Sequence, residues 1–457
     1  MKKVIALFLA ILMTTSMLAG CNNGASSSDE SKISSKSSSE ATTKKTIAEK
    51  AASEPKNLVM WHSFTQGPRM EFMKNSVKSF YEKTGININI ETYSWADFYT
   101  KWTAGVASNT VPDLSSSLPV QTAEMISIKA LYPLNDLVEE IGKDKFFEGP
   151  LNEFFIGGKY YGIALYSNAY IMWYRKDLLK QAGLEVPKTW EELYQAALAI
   201  YKKTGTYGLS FPMASNDFLS TMFLDLYVSS GGKSLLTKDL KADLTNQLVL
   251  DGIAFWAKVY KNVSPKESIN FKTLDQATLY YQGKVAFDFN TAFHINGVKT
   301  TTPALMDQIA CAPIPKINTN DQDYGENTNN TPLVVWNASK SPNSAMQFIQ
   351  YILEPDRYVD FVLSVPIGMI PTVKGVTETK KFMDNEIVKQ FPDALKFHLA
   401  AVKSGTGIGM EYGAVPEASI LTNQGIIEKM FQDIVTNGTD IAVAAKAAQD
   451  KINALMP

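Results

Sequence analysis

From Ile86 to Ile90 apolar and polar residues alternate one for one, with Asn87 and Asn89 between the isoleucines, which is the period of a half-buried strand. Just upstream the period changes. Met70, Met73, Val77 and Phe80 recur every three or four residues, the apolar stripe of a helix that Gly85 would end. Before that stripe, Asn57-Leu58-Val59-Met60-Trp61 reads as a short strand running into a loop at 62–68. Strand, helix and strand within about 35 residues make a right-handed crossover unit, the building block of a parallel sheet. The same alternation of periods returns downstream. Residues 160–174 are rich in β-branched and aromatic side chains, and Thr189-Trp190-Glu191-Glu192 offers a capping box to a helix whose buried face is Leu193, Ala197, Ile200 and Tyr201. Residues 205–211 and 285–289 read as further strands, and 344–353 and 426–435 as helices. The body spans about 400 residues, too many for one small core, so the predicted class is α/β in two lobes, each a mainly parallel sheet flanked by helices.

The N-terminus follows neither period. Lys2 and Lys3 precede an unbroken apolar stretch, 4–17, and then Leu18-Ala19-Gly20-Cys21. Small residues before a cysteine in this setting resemble the bacterial lipobox, so 1–20 is expected to be a lipoprotein signal peptide and Cys21 the lipidated residue. Two or more acyl chains would hold the protein on a membrane, whereas one would not. Residues 21–55 are dominated by Ser, Lys, Glu, Ala and Thr and are expected to form a disordered tether. The 44 basic and 46 acidic side chains leave a net charge of -2, with no basic field for nucleic acid. Cys311 is the only other cysteine, which excludes an internal disulfide once Cys21 is lipidated. His62, His294 and His398 stand far apart without cysteine neighbours, so no metal or cofactor is expected. A monomer is expected.

Several short stretches follow one another in a telling order. Residues 80–86 read Phe-Tyr-Glu-Lys-Thr-Gly-Ile, Pro112-Asp113 follows a helix, and 173–179 read Trp-Tyr-Arg-Lys-Asp-Leu-Leu, leading through Ala182-Gly183-Leu184 to the Thr189 cap. Residues 282–287, Gln-Gly-Lys-Val-Ala-Phe, and 345–349, Ala-Met-Gln-Phe-Ile, come later. In this order the chain after Pro55 resembles the carbohydrate-type (family 1) extracellular solute-binding proteins of bacterial ABC importers, whose members resemble maltose-binding protein. The resemblance implies two lobes joined by hinge segments and closing on a ligand. It also implies permease subunits as partners and a place on the outer face of the cell membrane. Crossings are expected near Ser167-Asn168, 312–315 and 353–356, which makes 56–166 plus 314–352 the N-terminal lobe and 167–313 plus 353–457 the C-terminal lobe.

Sugars present apolar C–H faces and a ring of hydroxyls, so their sites need flat aromatic rings together with amides or carboxylates. Candidate ligand contacts are Trp61, His62, Ser63, Thr65 and Gln66 in the first loop, then Tyr93, Trp95 and Ser117. Asn168 lies at the expected hinge, and Asn216, Asp217 and Phe218 follow a presumed strand. Asn290, Phe293 and His294 come after the 283–289 element, where relatives implied by the resemblance often carry a tryptophan. Glu411 and Tyr412 complete the set. Trp61, at the end of an apolar strand, suits a core position better than a ligand platform, and Trp102, Trp173, Trp190 and Trp256 fit structural patterns. A binder of a non-sugar solute and a secreted glycosidase remain as alternatives. The latter needs two carboxylates flanking one bond, for which Asp217, Asp288 and Glu411 are available. No nucleophile elbow, paired-histidine motif or P-loop is present.

Overall fold

The computed structural model describes residues 45–456, apart from Gln66 and residues 322–326. The expected signal peptide, Cys21 and most of the expected tether lie outside the described residues. Two sheets carry the architecture, built from β1 (Asn57–His62), β2 (Asn87–Thr92), β3 (Leu114–Ser116), β4 (Ile163–Ala169), β5 (Ile171–Arg175), β6 (Phe287–Asn290), β7 (Ile309–Ala312) and β8 (Thr328–Val335).

The first sheet has the order β2-β1-β3-β8-β4. The alternating isoleucines do form β2, which runs parallel to β1 in the register Leu58↔Ile88 and Met60↔Ile90, with helix Pro68–Thr84 as the crossover. Gly85 ends that helix in the left-handed conformation, φ 71°. β3 also runs parallel to β1, while β8 is antiparallel to both β3 and β4. The second sheet has the order β6-β5-β7, with both partners antiparallel to β5. Residues 205–211, expected as a strand, contribute only a short parallel stretch beside β6, where Ala286 and Phe287 N–H groups donate to Tyr207 and Gly208 carbonyls at 2.9 Å. Gly208 lets that stretch press on the helix Trp190–Thr204, since a Cβ there would lie 2.5 Å from the Ala197 Cβ.

Three segments sit elsewhere than expected. The folded body begins before residue 55. Thr46 and Glu49 form a capping box for the short helix Ile47–Ala51, whose Ile47 is buried against helix Pro342–Ile352. Residues 355–372, expected in the C-terminal lobe, join the first sheet, where the Tyr358 hydroxyl donates to the Leu165 carbonyl at 2.7 Å and Ile370 and Ser167 exchange both backbone bonds at 2.8 Å, while helix Pro392–Ser404 packs on both β4 and β7. The amphipathic pattern of helix Pro355–Leu363 shows that one face is buried, not which sheet buries it. Lys316, just past the second expected crossing, still bonds Lys188 and Trp190, and the Thr406 carbonyl accepts from the Thr328 N–H at 2.9 Å.

Further along the chain, helix Pro416–Asn423 leans on helix Pro119–Ser127, burying Val120, Met410 and Ala418 together, with the Ser419 hydroxyl on the Glu124 carboxylate. The second lobe is filled by an aromatic cluster in which Trp256 stacks on Phe211 with centroids 5.2 Å apart. Helix Ile426–Asn437 brings Glu428 into this interior, where Oε1 accepts from the Thr221 N–H at 3.1 Å and its hydroxyl at 2.8 Å while Oε2 has no partner among the described residues. Burial pushes the Glu428 carboxyl up to about 8. Between the unfolded value, about 4.3, and that figure the folded chain keeps a proton that the unfolded chain has shed. The stability is therefore complete below about pH 4.3 and is lost as pH rises toward 8. Glu428→Gln keeps the acceptor and removes this slope. Its advantage over the parent in thermal melts should grow by roughly 2–4 kcal/mol between pH 5 and pH 8; an equal difference at both pH values would contradict the assignment.

Candidate ligand cleft

Parallel strands leave their carboxyl ends facing one way, and ligands of open α/β sheets lie beyond those ends. At that edge of the first sheet stand His62 and Ser63 after β1, Ser116 and Ser117 after β3, and the facing pair Asn168 and Asn329 where β4 meets β8. Several of their polar atoms are buried without a hydrogen-bond partner among the described residues: His62 Nε2, Ser63 Oγ, Asn168 Oδ1, Asn329 Oδ1 and, on the following helix, Gln121 Oε1. Buried polar groups are nearly always paired, so five orphans at one sheet edge mark a place built for something else to pair them.

The state of His62 follows from its neighbours. The Phe64 N–H donates to Nδ1 at 3.3 Å and the Ser116 hydroxyl lies 2.8 Å from the same atom. With Nδ1 taken as an acceptor, the ring proton belongs on Nε2. Burial, aided by the Arg69 charge, lowers its pKa to about 3, so the imidazole is neutral. It offers a fixed N–H donor without a net charge, a group suited to a hydroxyl.

Opposite this edge, the second lobe supplies the loop before helix Leu219–Ser229. A cavity of about 190 Å³ is lined by Trp95, Leu118 and Gln121 from the first lobe and by Asn216, Asp217, Phe218 and Asn423 from the other side. A smaller void of about 40 Å³ shares Leu118, Phe218, Thr422 and Asn423 with it and reaches Tyr170 and Asn329. Asp217 is held in place by the Thr273 N–H and hydroxyl, at 2.8 and 2.9 Å from its Oδ2. Burial raises its pKa while these bonds lower it, and burial prevails. Rings, amides and a carboxyl from two lobes thus meet across one narrow gap.

The remaining candidates sit apart from that gap. Trp61 is buried in a side cluster with Phe98, Trp102 and Trp336, and its indole N–H donates to Glu91 at 3.0 Å. Tyr93 bonds the same carboxylate at 2.8 Å. Thr65 is exposed, Gln66 lies outside the described residues, and Ser117 is buried against Thr122 at 2.5 Å. Asn290 donates to Gln276 at 3.2 Å. Phe293 packs on the Arg69 guanidinium, 4.8 Å from its ring centre. His294 is buried, with Nε2 on Asp288 Oδ2 at 2.6 Å and its ring stacked on Tyr280 at 4.7 Å. Glu411 and Tyr412 line a different cavity, of about 470 Å³. Sequence reasoning missed Leu118, Gln121, Tyr170, Thr422 and Asn423. The first two had a signal, because Leu118-Pro119 opens a helix directly after a strand, but nothing local marks Thr422 or Asn423, which a distant crossing delivers.

Among the described residues no group of three or more His, Cys, Asp or Glu side chains is placed to hold a metal ion, and no helix is long and apolar enough to cross a membrane. The model of the family described as bacterial extracellular solute-binding protein matches residues 65–357, more than half of the chain. The chain belongs to that family. Among its solute-binding relatives is the diacetylchitobiose binding protein of Streptomyces coelicolor, 24% identical over 407 residues, which are 87% of this chain and 89% of the relative. The arabinooligosaccharide-binding protein of Bacillus subtilis is 25% identical over 374 residues, 77% of this chain and 76% of that protein. A sugar transporter from Arthrobacter chlorophenolicus with bound laminaribiose superimposes with a TM-score of 0.76 at 18% identity, covering 88% of this chain and 100% of that one. A maltose-bound protein from T. maritima gives 0.75 at 18% identity, with coverage of 88% and 100%. These solute-binding proteins share the two-lobed α/β fold described above.

Proposed function

We propose that this solute-binding protein captures a carbohydrate, an oligosaccharide in particular, by closing its lobes, and delivers it to the permease of an ABC importer from a lipid anchor at Cys21. One observation carries the reading: aromatic and amide side chains from both lobes face one gap, and the Gln121 side chain brings to it a buried oxygen that has no partner among the described residues. Trp95 and Phe218 suit the apolar face of a sugar ring, and His62, Gln121, Asn168, Asn216 and Asp217 suit its hydroxyls. The lobes are assigned as 45–169 plus 328–404 and 170–321 plus 407–456, so that a ligand bridging them favours the closed state over the open one. The names of the diacetylchitobiose and arabinooligosaccharide relatives favour an oligosaccharide over other solutes. The ligand leaves unchanged, because binding here involves no catalytic step.

A thermal-shift panel of arabino-, chito-, malto- and laminari-oligosaccharides tests this. At 100 times its dissociation constant the true ligand adds about 2.7 kcal/mol of stability and raises the melting temperature visibly. A folded protein indifferent to the whole panel would remove carbohydrate from the proposal. For the anchor, Cys21→Ala should move the protein from the membrane fraction into the medium, and unchanged fractionation would refute it.

A further inference from the structure

The cavity of about 470 Å³ that holds Glu411 and Tyr412 has Asn327 and Thr406 in its wall and shares no lining residue with the gap of about 190 Å³. Its chemistry differs from that of the gap. Asp225, which is 2% exposed, reaches this wall from helix Leu219–Ser229, and Glu411 lines the same space. The Asn327 amide donates to Asp225 Oδ2 at 2.9 Å, and the Ser234 hydroxyl donates to Glu411 Oε2 at 2.7 Å. Asp225 Oδ1 has no partner among the described residues. Burial, and then the charge of Glu411, hold the Asp225 carboxyl well above the usual carboxylate range, and burial raises Glu411 as well. Two acids with one orphan oxygen between them form a poor arrangement for an empty protein, since a buried carboxylate is normally paired.

Three features decide what would complete it. The space is large for a bare ion and falls within the range of small-molecule sites. The acids ask for a positive charge bearing several N–H donors. Tyr412, 41% exposed, lines the same space with an aromatic ring, a platform available to a cation with an organic body. Lys233 and Lys238 also line the cavity, but both are exposed to solvent. We propose that this hinge-side cavity binds a small organic cation through its primary ammonium group, with Asp225 and Glu411 as acceptors and the Tyr412 ring as a platform. Because Asn327 and Thr406 belong to the crossing segments, an occupant ties helix Leu219–Ser229 and the 407–412 loop to the hinge. The site is separate from the sugar gap and does not depend on the identity of the sugar.

Calorimetry and thermal shift with putrescine and glucosamine, set against 1,4-butanediol and N-acetylglucosamine as neutral counterparts, test the assignment on the full chain. The amines should bind and stabilise while the neutral compounds do not. Affinity should fall roughly tenfold or more in Glu411→Gln and in Asp225→Asn. Trp95→Ala should leave it unchanged, which separates this cavity from the sugar gap. Glu411 is only partly buried, so Glu411→Gln serves if the Asp225 variant does not fold. Absence of amine binding to the folded parent overturns the proposal. So does equal binding by amines and neutral analogues, undiminished binding in Glu411→Gln, or a response to calcium chloride alone.

Discussion

Asp288→Ala should cost about 3–5 kcal/mol and lower the denaturation midpoint more than any cleft substitution. Asp288 is 1% exposed and accepts from two buried groups, the Gln276 amide on Oδ1 and His294 Nε2 on Oδ2 at 2.6 Å. Gln276 in turn accepts from Asn290, whose carbonyl takes the Trp173 indole N–H at 3.0 Å. Burial raises the Asp288 pKa, and the hydrogen bond and charge of His294 oppose that rise. Removing the carboxyl orphans two groups in a low-dielectric interior, where each lost partner carries the full desolvation penalty. Urea titration followed by tryptophan fluorescence measures the effect. A loss below about 1 kcal/mol would show that the network contributes little. The same geometry explains why His294 looked like a ligand contact in the sequence: it follows a strand end, but its own helix turns it inward onto Tyr280.

The second large effect belongs to the gap. Trp95→Ala and Phe218→Ala should each weaken the best sugar of the panel by about 1–3 kcal/mol, a factor of roughly 5 to 150 in dissociation constant. Both rings are only half-buried in the free protein, so folding should be little affected. Tyr412→Ala should leave sugar affinity unchanged, since its ring faces the hinge-side cavity instead. Calorimetric titration of the three variants checks the pattern. If Tyr412→Ala weakened the sugar while Trp95→Ala did not, the ligand would belong in the larger cavity.

What the chain disclosed in advance divides by range. β1, the helix after it and β2 were readable because period and caps are local: Ile88 and Ile90 alternate, and Gly85 takes the left-handed turn that stops the helix. The capping box at Thr46 was equally local and was hidden only by the polar residues around it. Strand direction was less readable. β8 enters the first sheet antiparallel between β3 and β4, more than 150 residues from either in sequence order, and no residue in it announces that neighbour. Helix Pro355–Leu363 follows the expected crossing at 353–356, and the Tyr358 hydroxyl ties it to Leu165 of the first sheet, a bond visible only once the two are folded together. The gap divides in the same way. Trp95, Asn216, Asp217 and Phe218 follow recognisable loops, whereas Asn423 arrives through a helix that leans across from the far side. Trp61 ends an apolar strand, and its indole N–H is satisfied by Glu91 inside a packed aromatic cluster, which is the core alternative that its sequence context allowed.

Small-angle X-ray scattering with and without the best sugar of the panel tests the central claim most directly, because the claim is that two lobes close on a ligand held between them. At saturation the radius of gyration should contract and the distance distribution should lose its longest vectors, and Trp95→Ala should require more sugar for the same change. Superimposable profiles at a sugar concentration shown by calorimetry to saturate the protein would contradict capture by closure.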